Sequence, residues 1–183
     1  LQRNFFIMAS LLLVVAFTAT AQKQVFNDAF TDSLTSAQTR KELNNLSAND
    51  YLKQTLSKGK QSINYRLLLP AKNRNQKKYP LVITFHNSTR IGTDNEKQSE
   101  PLARIWLRPD IRRRYQAFVI APQFQTRSSN YYPDSVRNCL ISKPSDDVHL
   151  LLDLIREVKN KYPQIDPNRI YLVGYSMGAS TAQ

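Results

Sequence analysis

Glycine, cysteine and histidine are all scarce in this chain of 183 residues. Cys139 is the single cysteine, so no internal disulfide can form within these residues and stability must come from a packed core. The thiol is expected to be structural or free rather than nucleophilic. Two separated histidines, His86 and His149, and one cysteine offer no spacing like that of a zinc site, so neither a metal nor another cofactor is expected. Acidic residues are also few, 14 Asp and Glu against 26 Lys and Arg, for a formal charge of +12. A basic chain invites a nucleic-acid partner, notably at Arg112-Arg113-Arg114. The cations are scattered among loops rather than gathered on one periodic face, so no nucleic-acid partner is expected. Finally, the apolar run 5–17 is shorter than the roughly 20 residues that span a bilayer.

That run has a different reading. One cation, Arg3, precedes it and Ala19-Thr20-Ala21 follows, which is the order of a signal peptide over 1–21 cleaved before Gln22. The expectation is a secreted or periplasmic protein without stable membrane insertion. Residues 22–49 are polar, and no role is legible in them.

From Tyr51 onward the pattern becomes regular. Runs over 51–57 and 63–69 flank Lys58-Gly59-Lys60 and predict a β-hairpin, ended by Pro70. Three short apolar runs, Leu81 to Phe85, Ala117 to Ala121 before Pro122, and Ile170 to Val173, predict strands buried on both faces of a largely parallel sheet. Between the last two, 145–161 places Val148, Leu151, Leu152, Ile155 and Val158 at helical spacing, with Asp146 and Asp147 as capping residues and His149 as a packing histidine. Strand, helix, strand alternation predicts an α/β fold.

Two of the four glycines bracket one serine, in Gly174-Tyr175-Ser176-Met177-Gly178. At average composition this pentapeptide arises by chance in roughly 5% of chains of this length. Here a strand-like run precedes it and the small residues Ala179-Ser180-Thr181-Ala182 follow, the context that a nucleophile elbow requires. Such a turn lifts a serine hydroxyl clear of the backbone so that it can attack a carbonyl.

The landmarks together resemble the α/β-hydrolase superfamily, in particular secreted esterases and "predicted peptidases" related to dienelactone hydrolase and feruloyl esterases. The segments that carry the resemblance are Tyr65 to Pro70, Tyr79 to His86, Gly92-Thr93-Asp94-Asn95-Glu96, Val119 to Gln123, Ile165 to Ile170 and the elbow. The resemblance implies an incomplete α/β-hydrolase domain over 50–183, with a mostly parallel sheet, an antiparallel N-terminal hairpin and a chain that stops just after the elbow. It implies Ser176 as the catalytic nucleophile, Gly174 and Gly178 as elbow glycines, and an oxyanion hole made by the N–H of Met177 with that of Asn87 or Ser88. The family's His-Gly pair is replaced here by His86-Asn87. Acid and histidine follow the serine in this family, so both are expected beyond Gln183 and the 183 residues alone are expected to be inactive. His86 precedes the nucleophile and is read as a loop-positioning residue. Trp106, Tyr131 and Tyr132 fall in connections at strand ends, where they pack a surface or stack on substrate. The implied reaction is hydrolysis of a small-molecule or polysaccharide-linked carboxylic ester. The alternatives are a serine peptidase and a non-catalytic binding protein on the same scaffold.

Overall fold

Alternating side chains explain the central sheet. Along β3 (Tyr79–Phe85), Leu81, Ile83 and Phe85 enter one core cluster while Val82 enters the other. Along β4 (Phe118–Gln123), Phe118 and Ile120 join the first cluster, and Val119 and Ala121 the second. A strand with apolar side chains on both sides demands cover on both faces. The short helices α2 (Pro101–Arg104) and α3 (Pro109–Arg114), with the 3-10 turn Ile105–Leu107 between them, connect β3 to β4; Ala103 and Leu107 cover one face. The helix α4 (Asp147–Lys161) covers the other through Leu150, Leu151, Leu154 and Val158.

The structure is a computed structural model that describes residues 29–72, 74 and 76–183. The signal-peptide segment 1–21 lies outside the described residues. The chain divides into two units, Leu1–Thr31 and Asp32–Gln183, and every described helix and strand belongs to the second. That unit begins with α1 (Ser33–Asn45), capped by the Asp32 carboxylate, which accepts from the N–H of Thr35 at 2.9 Å. Thus the polar segment contains a helix that its sequence did not announce. Leu43 is the residue it buries, and the Arg104 guanidinium holds its end through the carbonyls of Asn44, at 2.7 Å, and Leu46.

The expected hairpin is present as β1 (Leu52–Lys58) and β2 (Gln61–Leu68), with Gly59 at φ 60° in the turn. The sheet order is β1-β2-β4-β3-β7, where β7 is Ile165–Gly174. β2 is antiparallel to both its neighbours, while β4, β3 and β7 are parallel, so four of the five strands run in one direction. The chain passes from β3 to β4 on one side and returns through α4 to β7 on the other. The carboxyl ends of β3 and β7 therefore flank a switch point, the usual ligand position of an open α/β sheet.

Several expectations need correction. β4 continues through Pro122, which lies opposite Tyr65; the β3 ladder stops at Ile120, so the missing proline N–H costs no bond on that side. Among the described residues β7 is the outermost strand of the sheet on its side, with Tyr171 and Leu172 about half exposed. It also starts earlier than Ile170. Ile165 pairs with Tyr79 and Ile170 with Leu81, and 166–169 bulge out between them, tied by Arg169 Nε to Asp166 at 2.7 Å. On α4 the buried stripe is rotated: Leu152 and His149 are exposed, so His149 does not pack the helix. Asp146 makes no cap bond, and Asp147 instead accepts from the N–H and Oγ1 of Thr126, at 3.2 and 2.9 Å. A second hairpin, β5 (Ser129–Asp134) with β6 (Cys139–Pro144), occupies what reads in the sequence as a connection.

Candidate active site

The elbow begins where β7 ends. Gly174 pairs with Phe85, so the turn and the loop after β3 emerge side by side at the switch point. Ser176 adopts φ 55°, ψ −121°, a conformation costly for a residue with a Cβ, and its exposed side chain precedes helix α5 (Met177–Thr181). The surrounding contacts explain both glycines. A Cβ on Gly174 would lie 2.1 Å from the carbonyl oxygen of Gly178, and one on Gly178 would lie 2.3 Å from that of Phe85 and 2.9 Å from that of His86. The backbone of α5 thus touches the start of the β3 loop, and the strain at Ser176 is held by packing on both sides. Met177 is buried and anchors α5 in the first core cluster.

The loop after β3 is fixed by side chains. The His86 ring is buried; Nδ1 donates to the carbonyl of Asn87 at 2.7 Å and Nε2 accepts from the N–H of Phe124 at 3.0 Å. That pattern requires the neutral imidazole, and burial pushes its pKa below the ordinary value. His86 therefore occupies the positioning role expected of it. Asn87 caps the 3-10 turn Ser88–Arg90, accepting from the N–H of Thr89 at 2.8 Å. Its own backbone N–H donates to Glu100 Oε1 at 3.2 Å, and its Nδ2 to Oε2 at 2.7 Å. Glu100 occupies the N-cap position of α2 yet makes no cap bond, because its carboxylate is turned toward Asn87. Burial raises its pKa, opposed by the Asn87 N–H and by Arg90, whose Nε is 3.7 Å away.

Of the expected site residues, the structure brings Ser176, Met177 and the loop at 86–88 to one end of the sheet. The Asn87 N–H is committed to Glu100, while those of Ser88 and Met177 carry none of the described hydrogen bonds. No described hydrogen bond connects either histidine to Ser176. Trp106 is elsewhere, packing on the second core cluster beside a cavity lined by Tyr79 and Pro80, at the opposite end of β3. Tyr131 is near: its hydroxyl bonds that of Ser180, and the Ser128 hydroxyl meets that of Thr181 at 2.7 Å, docking the second hairpin on α5. Glu100 and Arg90 had no sequence signal as site residues. The Glu-Pro pair marks a helix start, but nothing in it names Asn87 as the partner.

No family model and no curated protein matches the chain. Among solved structures it is similar to a thermostable esterase, with 31% identity and a TM-score of 0.62 over 73% of this chain and 36% of that one. It is also similar to a bacterial heroin esterase, at 19% identity and TM-score 0.47 over 81% of this chain and 43% of that one. A ferulic acid esterase from Anaeromyces mucronatus gives 16% and 0.42 over 72% of this chain and 51% of that one. The chain thus spans about a third of the length of the thermostable esterase. The strand order, the strained serine between two crowded glycines and the likeness to the thermostable esterase together relate this chain to the α/β-hydrolases, whose fold it shares over the matched length.

Proposed function

We propose that the chain carries the nucleophile of a secreted serine hydrolase that cleaves carboxylic esters through an acyl-enzyme on Ser176. The observation that carries this reading is the backbone of Ser176, held at φ 55° by packing that tolerates only glycine at 174 and 178. Strain of this kind persists where the surrounding structure enforces it, and here it presents a hydroxyl at the switch point of the sheet.

In the proposed reaction Ser176 Oγ attacks the ester carbonyl and loses its proton to an imidazole. The tetrahedral oxyanion accepts hydrogen bonds from the N–H groups of Met177 and Ser88, the alcohol leaves, and water hydrolyses the acyl-enzyme. Ser88 is the second donor because Glu100 already holds the N–H of Asn87. Neither histidine of residues 1–183 supplies the imidazole in this proposal, since His86 is engaged at both nitrogens and His149 sits on the surface of α4.

The test is labelling of the whole protein with a fluorophosphonate probe, followed by turnover of activated esters and of peptide amides. Labelling lost in Ser176→Ala, with faster ester than amide turnover, is the expected result. A folded protein that does not label would leave the non-catalytic scaffold as the reading. Faster amide turnover would make it a peptidase.

A further inference from the structure

A cavity of about 300 Å³ opens beside the elbow, lined by Tyr175, Asn87, Leu102, Arg40, Arg90 and Glu100. Tyr175 immediately precedes the nucleophile, and Asn87 belongs to the loop that meets it. The cavity is therefore a space into which a group attached to the reacting carbonyl could extend. Its walls are mixed: Leu102 and the Tyr175 ring give apolar surface, while two guanidinium groups and one carboxylate give charge.

The balance of that charge decides what fits. Glu100 accepts from both Asn87 donors and is 8% exposed, so its carboxylate is turned into the protein rather than offered to a ligand. Arg90 approaches Glu100 with Nε at 3.7 Å, and its guanidinium donates none of the described hydrogen bonds, so it has donors to offer a ligand. Arg40, exposed on α1, makes no ion pair among the described residues. Among the described residues two cations line the cavity, and Glu100, the one carboxylate there, is already satisfied. Guanidinium groups bind carboxylates through paired hydrogen bonds, and the low polarity of an apolar wall strengthens them.

We propose that this cavity binds a carboxylate on the substrate, so that the preferred ester bears a free acid on its acyl or its alcohol portion. The assignment rests on the hydrolase reading above. It makes Arg40 and Arg90 specificity-determining residues, with Leu102 and Tyr175 holding the apolar part of the same group.

The experiment measures kcat/KM of the whole protein on two matched pairs of esters: 4-nitrophenyl hemisuccinate against 4-nitrophenyl butyrate, and 4-acetoxybenzoate against phenyl acetate. The expected result is a preference for the anionic member of at least one pair. In Arg40→Gln and in Arg90→Gln the ratio of anionic to neutral turnover falls about tenfold, the scale of one charge-assisted contact, and added salt lowers it further. Arg90→Lys, which keeps the charge, recovers part of the ratio. Thermal midpoints of the variants, unchanged at exposed Arg40, separate lost recognition from lost folding. Equal turnover within both pairs, or a preference indifferent to both arginines, overturns the carboxylate assignment and leaves the hydrolase reading standing. Turnover of none of the four esters overturns the hydrolase reading itself.

Discussion

Asn87 and Glu100 are joined twice, backbone N–H to Oε1 at 3.2 Å and side-chain Nδ2 to Oε2 at 2.7 Å. A residue that replaces a flexible glycine in a hydrolase loop would be expected to disturb the oxyanion donors. The carboxylate of Glu100 explains how this loop tolerates asparagine. It fixes the side chain and withdraws one N–H; in the reaction proposed above, the next N–H along the chain is the oxyanion donor.

The first prediction follows from that assignment. Ser88 is the first residue of a 3-10 turn and Asn87 before it is extended, at φ −77° and ψ 171°. A proline fits both conformations, so Ser88→Pro removes one N–H with little change to the fold. We expect kcat on esters to fall by about 10² to 10³ with KM nearly unchanged, the size of one oxyanion donor, and the thermal midpoint to stay in place. Full activity in this variant would return the role to another donor.

Glycine substitutions should rank by what a Cβ would meet. Gly178→Ala drives a methyl to 2.3 Å from the Phe85 carbonyl, and Gly174→Ala to 2.1 Å from the Gly178 carbonyl, both against backbone that cannot move aside. Each should cost about 3 kcal/mol or more and abolish labelling of Ser176. Gly59→Ala meets no atom but keeps φ 60°, and should cost about 1 kcal/mol through backbone strain alone. Gly92→Ala brings a methyl to 3.1 Å from Gln123 Nε2, in a buried amide held by Asp94 and Asn95, and should cost less than either elbow substitution. Denaturant melts of the four variants give the order directly.

The fold was legible where apolar runs left one solution. The runs at 81–85 and 117–121 could be buried only between two layers, and both became inner strands. The run at 170–173 has the same composition and forms β7, the last strand of the sheet among the described residues. The hairpin β5–β6 was missed since Tyr131, Tyr132 and Leu140 are largely exposed and alternate with no buried partner. Within the site, Ser176 and its glycines were legible because local geometry dictates them. Glu100 was not, since it meets Asn87 only after the chain has travelled 13 positions through a loop that no local rule specifies.

Arg66 gives a stability prediction outside the site. Its side chain is buried on β2, where Nε donates to the Asn95 carbonyl at 2.7 Å, one terminal nitrogen donates to that of Tyr51 at 3.3 Å, and the other meets the Glu96 carboxylate. Two loops, one at Tyr51 and one at Asn95-Glu96, therefore converge on one planar fork. Arg66→Met leaves two backbone carbonyls without their donor and should cost about 2 to 4 kcal/mol, and Arg66→Lys should recover only part, because one ammonium cannot reach all three acceptors. Urea unfolding of the pair tests this; equal stability of wild type and Arg66→Met would mean the fork holds nothing that water cannot replace.

Acid should loosen the loop at the site through His86. The folded protein holds this imidazole neutral, because burial disfavours the charge and Nε2 must accept from Phe124. The unfolded chain takes up a proton near the ordinary value of 6.5, whereas the folded chain resists until the pH is lower. The unfolded state thus binds more protons, and stability contributed by the neutral ring is complete above 6.5 and is lost as the pH falls through the lowered value, by up to about 1.4 kcal/mol per unit. Glu100, whose pKa is raised, has the opposite sign: the cost of burying its carboxylate is relieved as it protonates on the way down toward 4.5. Between pH 7.5 and 5.5 the histidine should dominate, so the urea midpoint of the wild type should fall, and that of His86→Gln, lower at neutral pH, should fall less. Parallel slopes for the two proteins would place the acid sensitivity elsewhere in the fold.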